Sequence, residues 1–222
     1  MNLLTHIGNF FNDSAQWQGY DGIPTRVAEH LQYTLEALLI AAAIALPVGL
    51  VTGHYGRGGT VLSLIATAGR ALPTFGLLVL LTLLVGFGLV NVMTPLVILA
   101  VPPILVTTYE AMRTVDPSSV DAARGMGMSE AGVLFHVELP AALPLILSGL
   151  RSGAIQIVST ATIAAYVSLG GLGRYIVDGL YQRNYEKVVG GATLVAGLAL
   201  LTLAVFWAVG RAAVSRGVRR SA

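Results

Sequence analysis

Four charged side chains fall within one polar segment, residues 121–140 (DAARGMGMSEAGVLFHVELP), which lies between two strongly apolar stretches. They are Asp121, Arg124, Glu130 and Glu138. The chemistry open to these groups is ion pairing and hydrogen bonding with water, lipid headgroups or a partner protein, because the hydrocarbon of a bilayer cannot solvate them. The segment must therefore leave the apolar environment that its neighbours require.

Residue types that are typical of catalytic or metal sites form no recognisable pattern in this sequence. The chain has no cysteine, which excludes disulfides, thiolate metal sites and a cysteine nucleophile. Its histidines, His6, His30, His54 and His136, are scattered and form no H-E-x-x-H motif. A phosphate-binding G-x-x-x-x-G-K-[ST] loop is also missing. We expect no catalytic residue and no metal site, and a membrane-embedded hydrolase is one alternative.

The composition is that of a membrane protein. Of the 222 residues, 55% are hydrophobic and 11% are charged, whereas soluble domains average about 25% charged residues. The net charge of +2 is too small to indicate a nucleic-acid partner. We therefore predict an all-α integral membrane protein surrounded by lipid. It forms a single domain over residues 1–222, in which residues 1–26 are an N-terminal segment.

Five apolar stretches are long enough to cross a bilayer, because a spanning helix needs roughly 20 apolar residues. They are residues 31–53, 72–90, 93–110, 143–168 and 190–210. The stretch 61–71 is apolar but too short to cross alone, so we interpret it as an interfacial lead-in to the second span. A six-span alternative would make it a full crossing. Residues 173–185 predict a short helix between the fourth and fifth spans.

The Lys and Arg residues of the loops predict the orientation, because cytoplasmic loops are enriched in them. With the N-terminus outside and the C-terminus inside, eight basic residues lie inside and four lie outside. The inner set is Arg57, Arg70, Arg113, Arg124, Arg211, Arg216, Arg219 and Arg220. The outer set is Arg26, Arg174, Arg183 and Lys187. This orientation places residues 121–140 and a basic tail, residues 213–222, in the cytoplasm.

Residues 113–142 predict a helix–turn–helix at the membrane surface. Asp116 followed by Pro117 is a typical helix start, and residues 118–125 favour a short helix with small side chains. Gly127 allows a sharp turn where a side chain would obstruct.

The second half of the same loop predicts another short helix, from Ser129 to His136. Pro140 is expected to end this helix and to send the chain back into the membrane, because proline disfavours helical backbone at the preceding residue. The tip of the helix–turn–helix would then face away from the membrane and be available to a partner protein.

The spacing within residues 121–140 resembles the EAA motif of permease subunits in ABC importers. That motif reads Glu-Ala-Ala, three residues, Gly, nine residues, Ile, one residue, Leu-Pro; here Asp replaces Glu and Val replaces Ile. The matching residues are Asp121, Ala122, Ala123, Gly127, Val137, Leu139 and Pro140. The resemblance implies a five-span type I ABC importer transmembrane domain with its core at residues 27–212. Its loop at residues 113–142, the coupling loop, would dock in a groove of a separate ATPase subunit.

The same resemblance implies partners and a location. Two cytosolic ATPase subunits would use ATP and Mg²⁺, so no cofactor and no enzyme activity are expected in this chain. A second permease subunit, identical or paralogous, and an extracytoplasmic substrate-binding protein would complete the importer in a bacterial cytoplasmic membrane. The alternative is an ordinary cytoplasmic loop that happens to contain these residues.

Three further stretches, residues 30–50, 70–81 and 165–185, resemble permeases of osmoprotectant importers. The implied substrate is a small zwitterionic or quaternary amine, such as glycine betaine, choline, carnitine or proline betaine, moved by alternating access. Similar permeases carry ergothioneine or methionine, and those alternatives stay open. An ion-gradient carrier is less favoured, since such carriers show two related halves and no such repeat is visible here.

Polar residues within the predicted spans are candidates for the translocation path, because such groups usually face protein or a water-filled cavity. The candidates are Gln156, Ser159, Thr160 and Thr162 in the fourth span and Glu36 in the first. Hydrogen bonding between helices is an equal alternative for the fourth-span group. Arg151 in the same span either extends toward the inner surface or pairs with Glu110.

Overall fold

The computed structural model describes residues 2–213, without the side chain of Arg70, and every long element in this range is a helix. The α-helices are α1 Leu3–Asn12, α2 Ile23–His54, α3 Gly59–Ala71, α4 Thr74–Val85, α5 Leu89–Arg113, α6 Pro117–Gly125, α7 Glu130–Val133, α8 Leu139–Thr160, α9 Gly173–Tyr181 and α10 Tyr185–Ala213. Short 3₁₀ helices cover Ser14–Trp17 and Ala161–Val167, and a π-helical turn covers Leu134–Glu138. The predicted basic tail, with Arg216, Arg219 and Arg220, lies beyond Ala213 and so outside the described residues.

Four helical segments are long and apolar enough to cross a membrane: α2, α5, α10 and the segment Glu130–Val167 that contains α8. Helices α3 and α4 form a fifth candidate as a bent pair, with an angle of 77° between them. Each is too short to cross alone, since 13 residues of helix extend only about 20 Å. Within the described range there are thus at most five candidate spans, as predicted, and not six.

The boundaries predicted for the second span are wrong. Helix α4 ends before Gly86, whose φ of 93° lies in the left-handed region that favours glycine. Residues 89–90, which we assigned to the second span, begin α5 instead. Hydropathy misses this break because glycine ends a helix through its backbone, without making the sequence more polar.

The stretch 61–71 forms most of α3 and packs against α5. Leu62 and Ala66 are buried on this face, and a Cβ at Gly69 would lie 2.6 Å from the ring of Pro102. The stretch is therefore part of the helical bundle, as the first half of the bent pair.

A row of small residues joins α2 closely to α5 in the centre of the bundle. Every fourth residue of α2 along this row is alanine or glycine and is buried: Ala37, Ala41, Ala45, Gly49 and Gly53. A Cβ at Gly49 would lie 2.7 Å from Cβ of Thr108, and one at Gly53 would lie 2.5 Å from Cβ of Met112. Small residues let helices approach closely, so α2 and α5 are packed as a tight pair.

The N-terminal segment contains a helix, α1, that our sequence analysis did not predict. Its Phe10 is buried against Gly190 of α10 and makes an edge-to-face contact with Tyr175 of α9, with ring centroids 5.3 Å apart. The short helix predicted at residues 173–185 is present as α9, Gly173–Tyr181. Both elements pack on α10 at the end of the bundle opposite the loop 113–142.

Candidate coupling loop and translocation face

The first helix of the loop 113–142, α6, begins at Asp116 as predicted. The Asp116 carboxylate accepts hydrogen bonds from the backbone N–H of Ser118 (3.1 Å) and from the hydroxyls of Ser118 (2.5 Å) and Ser119 (3.0 Å). The Ser118 hydroxyl, followed by the backbone N–H, holds the pKa of Asp116 below its ordinary value. This cap satisfies an N–H group that the helix itself leaves without a partner.

The chain reverses at Gly127, which has a φ of 83°. No atom lies within 4 Å of the place where a Cβ would be built, so glycine is needed here for its backbone conformation and not for space. The neighbouring Met126 side chain is 78% exposed. Our sequence analysis missed this apolar side chain at the tip, although a methionine between Gly125 and Gly127 in a polar loop was a visible signal.

The second helix is present, but its predicted end is wrong. Helix α7, Glu130–Val133, is capped by the Ser129 hydroxyl and passes through the π-helical turn Leu134–Glu138 directly into α8. Pro140 therefore lies in the first turn of α8 and does not terminate a helix. The wider π-helical turn before Pro140 lets the helix continue although proline has no N–H to donate. π-Helical turns are rare and frequently mark functional sites.

The motif residues divide into two groups in the structure. The buried Ala123 packs with Val120 and Val133 in a small core inside the loop, and Val137 lies against this core. Leu139 packs on the main bundle. The remaining motif residues, Asp121, Ala122, Gly127 and Pro140, are exposed. Three motif residues thus hold the loop in shape while the others form its accessible surface.

Ion pairs tie the two loop helices to each other and to α2. Arg124 donates two hydrogen bonds to the Glu130 carboxylate, at 3.1 and 2.9 Å, and lowers the pKa of Glu130. Glu130 Oε2 also lies 3.1 Å from His54 Nε2, and His54 Nδ1 lies 2.5 Å from Glu138 Oε2. We call Arg124, Glu130, His54 and Glu138 the His54 cluster. Sequence analysis could not connect them, because His54 and Glu138 are 84 positions apart.

Helix α8 presents a polar face that no other part of the described chain covers completely. Ser152 and Ser159 are exposed, and Ser148 and Gln156 are half-buried, at intervals of three or four residues that place them on one side. The hydroxyls of Ser152 and Ser159 donate to backbone carbonyls of α8 itself, at 3.0 and 3.1 Å. Within the described chain, neither hydroxyl holds a neighbouring helix.

The other two fourth-span candidates lie where the α-helical geometry of α8 ends. Thr160 is the last residue of α8, and Thr162 lies in the following 3₁₀ helix, where its hydroxyl donates to the Ser159 carbonyl at 3.0 Å. That helix ends at Ser168, which has a φ of 61°. A Cβ at Gly173 would lie 2.1 Å from the Thr162 carbonyl oxygen, so α9 packs directly on this break.

Glu36 lies in a different groove, between α2 and α5. Its half-buried carboxylate accepts a hydrogen bond from Gln32 at 2.8 Å. The groove has a volume of about 480 Å³ and is otherwise mainly apolar, with Leu89, Met93 and Val97 among its lining residues. No hydrogen bond or ion pair of the described residues joins Glu36 to the polar face of α8, so its part in the same path stays a prediction.

Arg151 does not pair with Glu110. Its Nη2 donates to the Ser148 hydroxyl at 3.2 Å, and the ion pairs among the described residues do not include it. The side chain is thus directed toward the N-terminal end of α8, the direction in which helical side chains lean. This is the end nearest the loop 113–142, in agreement with the alternative in which Arg151 extends toward the membrane surface.

A bundle of apolar helices with one ordered polar loop and one polar helix face fits a membrane transport subunit. Residues 45–220 match the family described as "Binding-protein-dependent transport system inner membrane component". The match covers most of the chain, including the EAA motif and the polar face of α8. The chain belongs to this family of ABC importer permeases, as the motif indicated.

Several curated proteins are similar to this chain over most of its length. The choline transport system permease protein OpuBB of Bacillus subtilis is 33% identical over 86% of this chain and 88% of that protein. The carnitine transport permease protein OpuCB of Listeria monocytogenes is 30% identical over 78% of this chain and 79% of that protein. The glycine betaine/proline betaine permease ProW of Escherichia coli is 31% identical over 86% of this chain and 54% of that protein.

Solved structures of importers share the fold. The MetNI methionine ABC transporter in an inward-facing conformation matches with a TM-score of 0.73 and 25% identity, over 86% of this chain and 95% of that chain. An amino acid ABC transporter with histidines matches with a TM-score of 0.69 and 19% identity, over 95% of this chain and 98% of that chain, which shows the fold alone. The architecture is therefore that of type I ABC importer transmembrane subunits.

Proposed function

We propose that this chain is the permease subunit of an ATP-driven importer for a small quaternary or zwitterionic amine such as choline, carnitine, glycine betaine or proline betaine. The single observation that carries the substrate class is the set of similar permeases: relatives at 30–33% identity bear the names of choline, carnitine and glycine betaine systems. ATP is hydrolysed on separate subunits, which use Mg²⁺, and this chain supplies the membrane path.

The exposed tip of the loop is the surface that receives the ATPase. Asp121, Ala122 and Gly127 offer small or charged groups that allow a partner to approach closely, and Met126 offers a flexible apolar side chain. Methionine is well suited to fill an irregular groove because it is unbranched and polarisable. Charge, small side chains and one apolar projection together favour a protein partner over lipid headgroups alone.

A continuous helical path carries the loop's movement into the membrane. The segment Glu130–Val167 runs from the loop, through the π-helical turn, along the polar face of α8 to the break at Thr160. When nucleotide binding closes the ATPase pair, the docked loops are displaced and α8 moves with them. The bundle then passes between inward-open and outward-open states, a shift driven by the different affinities of the two states for ATP.

The polar face of α8 lines the substrate path at a contact with a second permease subunit, identical or paralogous. Its hydroxyls and the Gln156 amide remain available in the single chain, and polar groups in a membrane are favourable only beside protein or water. The excess of basic residues that the sequence assigns to the loop side favours a cytoplasmic loop and an N-terminus outside. An extracytoplasmic binding protein would then deliver substrate at the end formed by α1 and α9.

Methionine is a second candidate substrate, because the methionine transporter shares the fold at 25% identity. One reconstitution separates the candidates. Proteoliposomes that contain this chain with its ATPase and binding protein are loaded with ATP and supplied with radiolabelled choline, glycine betaine, carnitine or methionine. We expect ATP-dependent uptake of at least one of the three quaternary ammonium compounds and none of methionine. Uptake that needs an ion gradient and no ATP would contradict the proposal.

A further inference from the structure

We propose that His54 is a positioning residue that fastens the coupling loop to helix α2, so that movement of the loop moves α2 together with α8. This inference rests on the proposed function. It assigns a task to a side chain outside the EAA motif, at the last residue of α2.

The His54 cluster forms an unbroken series of polar contacts across three parts of the chain. Arg124 of α6 binds Glu130 of α7, Glu130 lies 3.1 Å from the His54 ring of α2, and the ring lies 2.5 Å from Glu138. The side chain of His54 is 3% exposed and that of Glu138 is 7% exposed. Buried charged partners cannot exchange easily for water, so separating them is costly.

The geometry also places two hydrogen-bonding partners on one ring. Both ring nitrogens of His54 face carboxylate oxygens, Nε2 toward Glu130 and Nδ1 toward Glu138. Loss of the ring would remove at least one of the two contacts, and the tie between α2 and the loop would become weaker.

The surroundings of His54 are polar and have room for water. A cavity of about 160 Å³ lies between the end of α2, the end of α5 and the loop. The titratable or charged groups that face His54 or line this cavity are Glu130, Glu138, Arg124, Asp121 and Arg113. The ring of Tyr55 packs edge-to-face on the His54 ring, with centroids 4.9 Å apart.

The location of the cluster explains why α2 is the helix to fasten. Helix α2 is packed tightly on α5 through its row of small residues, with Gly53 directly before His54. Glu138 lies in the π-helical turn that leads into α8. Through the chain itself, the loop is connected only to α5 before it and to α8 after it. The contacts of His54 connect the loop to α2 as well, so that the three central helices move together.

The test compares His54→Gln with His136→Gln in the same reconstituted importer. His136 is an exposed histidine of the same loop whose Nδ1 faces only the Gly132 carbonyl, so it is a matched control. The measured quantity is choline or glycine betaine transported per ATP hydrolysed. We expect His54→Gln to lower this ratio at least about tenfold, because a hydrogen bond to a charged carboxylate is worth that factor or more. ATP should still be hydrolysed. The double variant His54→Gln with Glu138→Gln should recover part of the ratio, because two amides can bond without charge.

The double variant provides a readout that a merely structural role would not move, because recovery requires the side chains at positions 54 and 138 to meet. The ratio should be unchanged in His136→Gln. An ATP-driven importer in which His54→Gln keeps the normal ratio would overturn this inference alone. Uptake without any ATP dependence in the unmodified protein would overturn the proposed function, and the inference with it.

Discussion

The coupling loop and the polar face of α8 both place polar groups at the edge of an apolar bundle, but they use them in opposite ways. In the loop, charged groups bind one another: Arg124 holds Glu130, and His54 lies between two carboxylates. On α8, the hydroxyls of Ser152 and Ser159 stay exposed and, among the residues that the structure describes, bond only to their own helix. The loop is therefore organised before any partner arrives, whereas the α8 face is left open for what it meets.

The largest effect is expected from changing the backbone of the loop, with Gly127→Val. A φ of 83° is unfavourable for a β-branched residue. The left-handed conformation costs about 1–2 kcal/mol for an ordinary residue and more for β-branched valine, so uptake should fall by tenfold or more, the factor that corresponds to about 1.4 kcal/mol. The measurement is ATP-dependent uptake by variants with normal membrane expression.

Gly125→Ala is the control for that substitution. Gly125 is helical, and no atom lies within 4 Å of a Cβ built there, so alanine should leave uptake unchanged. Equal losses in both variants would mean that side-chain bulk at the tip, and not the turn at Gly127, is what matters.

On the α8 face, Ser159→Trp should block transport without unfolding the protein. The position is exposed in the single chain, and within residues 2–213 its hydroxyl bonds only to a carbonyl of α8, so the free energy of unfolding of Ser159→Ala should change by no more than about 0.5 kcal/mol. Uptake by the Ser159→Trp variant should drop tenfold or more. A tenfold drop corresponds to ~1.4 kcal/mol in the free energy of substrate binding or passage.

Leu201→Trp is the matched control, because Leu201 is an exposed apolar residue of α10. Uptake by this variant should stay near that of the unmodified protein. If both tryptophans inhibit equally, the α8 face is no more connected with substrate than the rest of the surface.

A smaller, substrate-dependent effect is expected from Glu36→Gln. Choline has a net positive charge, whereas glycine betaine carries a carboxylate that balances its ammonium group. Removal of the Glu36 charge therefore costs choline a net attraction that glycine betaine does not have. A partly exposed ion pair contributes up to ~1 kcal/mol, and the ratio of choline to glycine betaine uptake should therefore fall about fivefold. An unchanged ratio would remove Glu36 from the path and leave it as the hydrogen-bond partner of Gln32.

The smallest effect concerns the exposed ion pair between Arg124 and Glu130. Since Arg124 lowers the pKa of Glu130, the pair stabilises the loop above the ordinary Glu value of about 4.3 and is lost as pH falls through the lowered value. Protection factors for hydrogen exchange in α6 and α7, which correct for the intrinsic pH dependence of exchange, should thus stay high at neutral pH and fall only in acid. In Arg124→Gln the protection factors should already be lower at neutral pH, and equal protection factors in the two proteins at every pH would contradict this.

Sequence analysis was most successful where local rules decide the structure. The cap at Asp116, the turn at Gly127 and the two short helices of the loop were all predicted from residue types and spacing, because each depends on a few neighbouring residues. It failed at Pro140, where the wider π-helical turn lets the helix continue, and at Gly86, where a glycine ends an apolar helix.

The sequence by itself determined that this protein has five apolar stretches long enough to cross a membrane and a polar loop that resembles the EAA motif of permeases. Hydropathy and residue spacing are properties of the chain alone. Only the tertiary structure decided which polar groups meet. The contact of His54 with Glu138 joins residues 84 positions apart, and the exposure of Ser159 depends on where α5 and α10 lie. Long-range packing determines both, since a helix's neighbours, and not its own residues, decide which of its polar groups remain free.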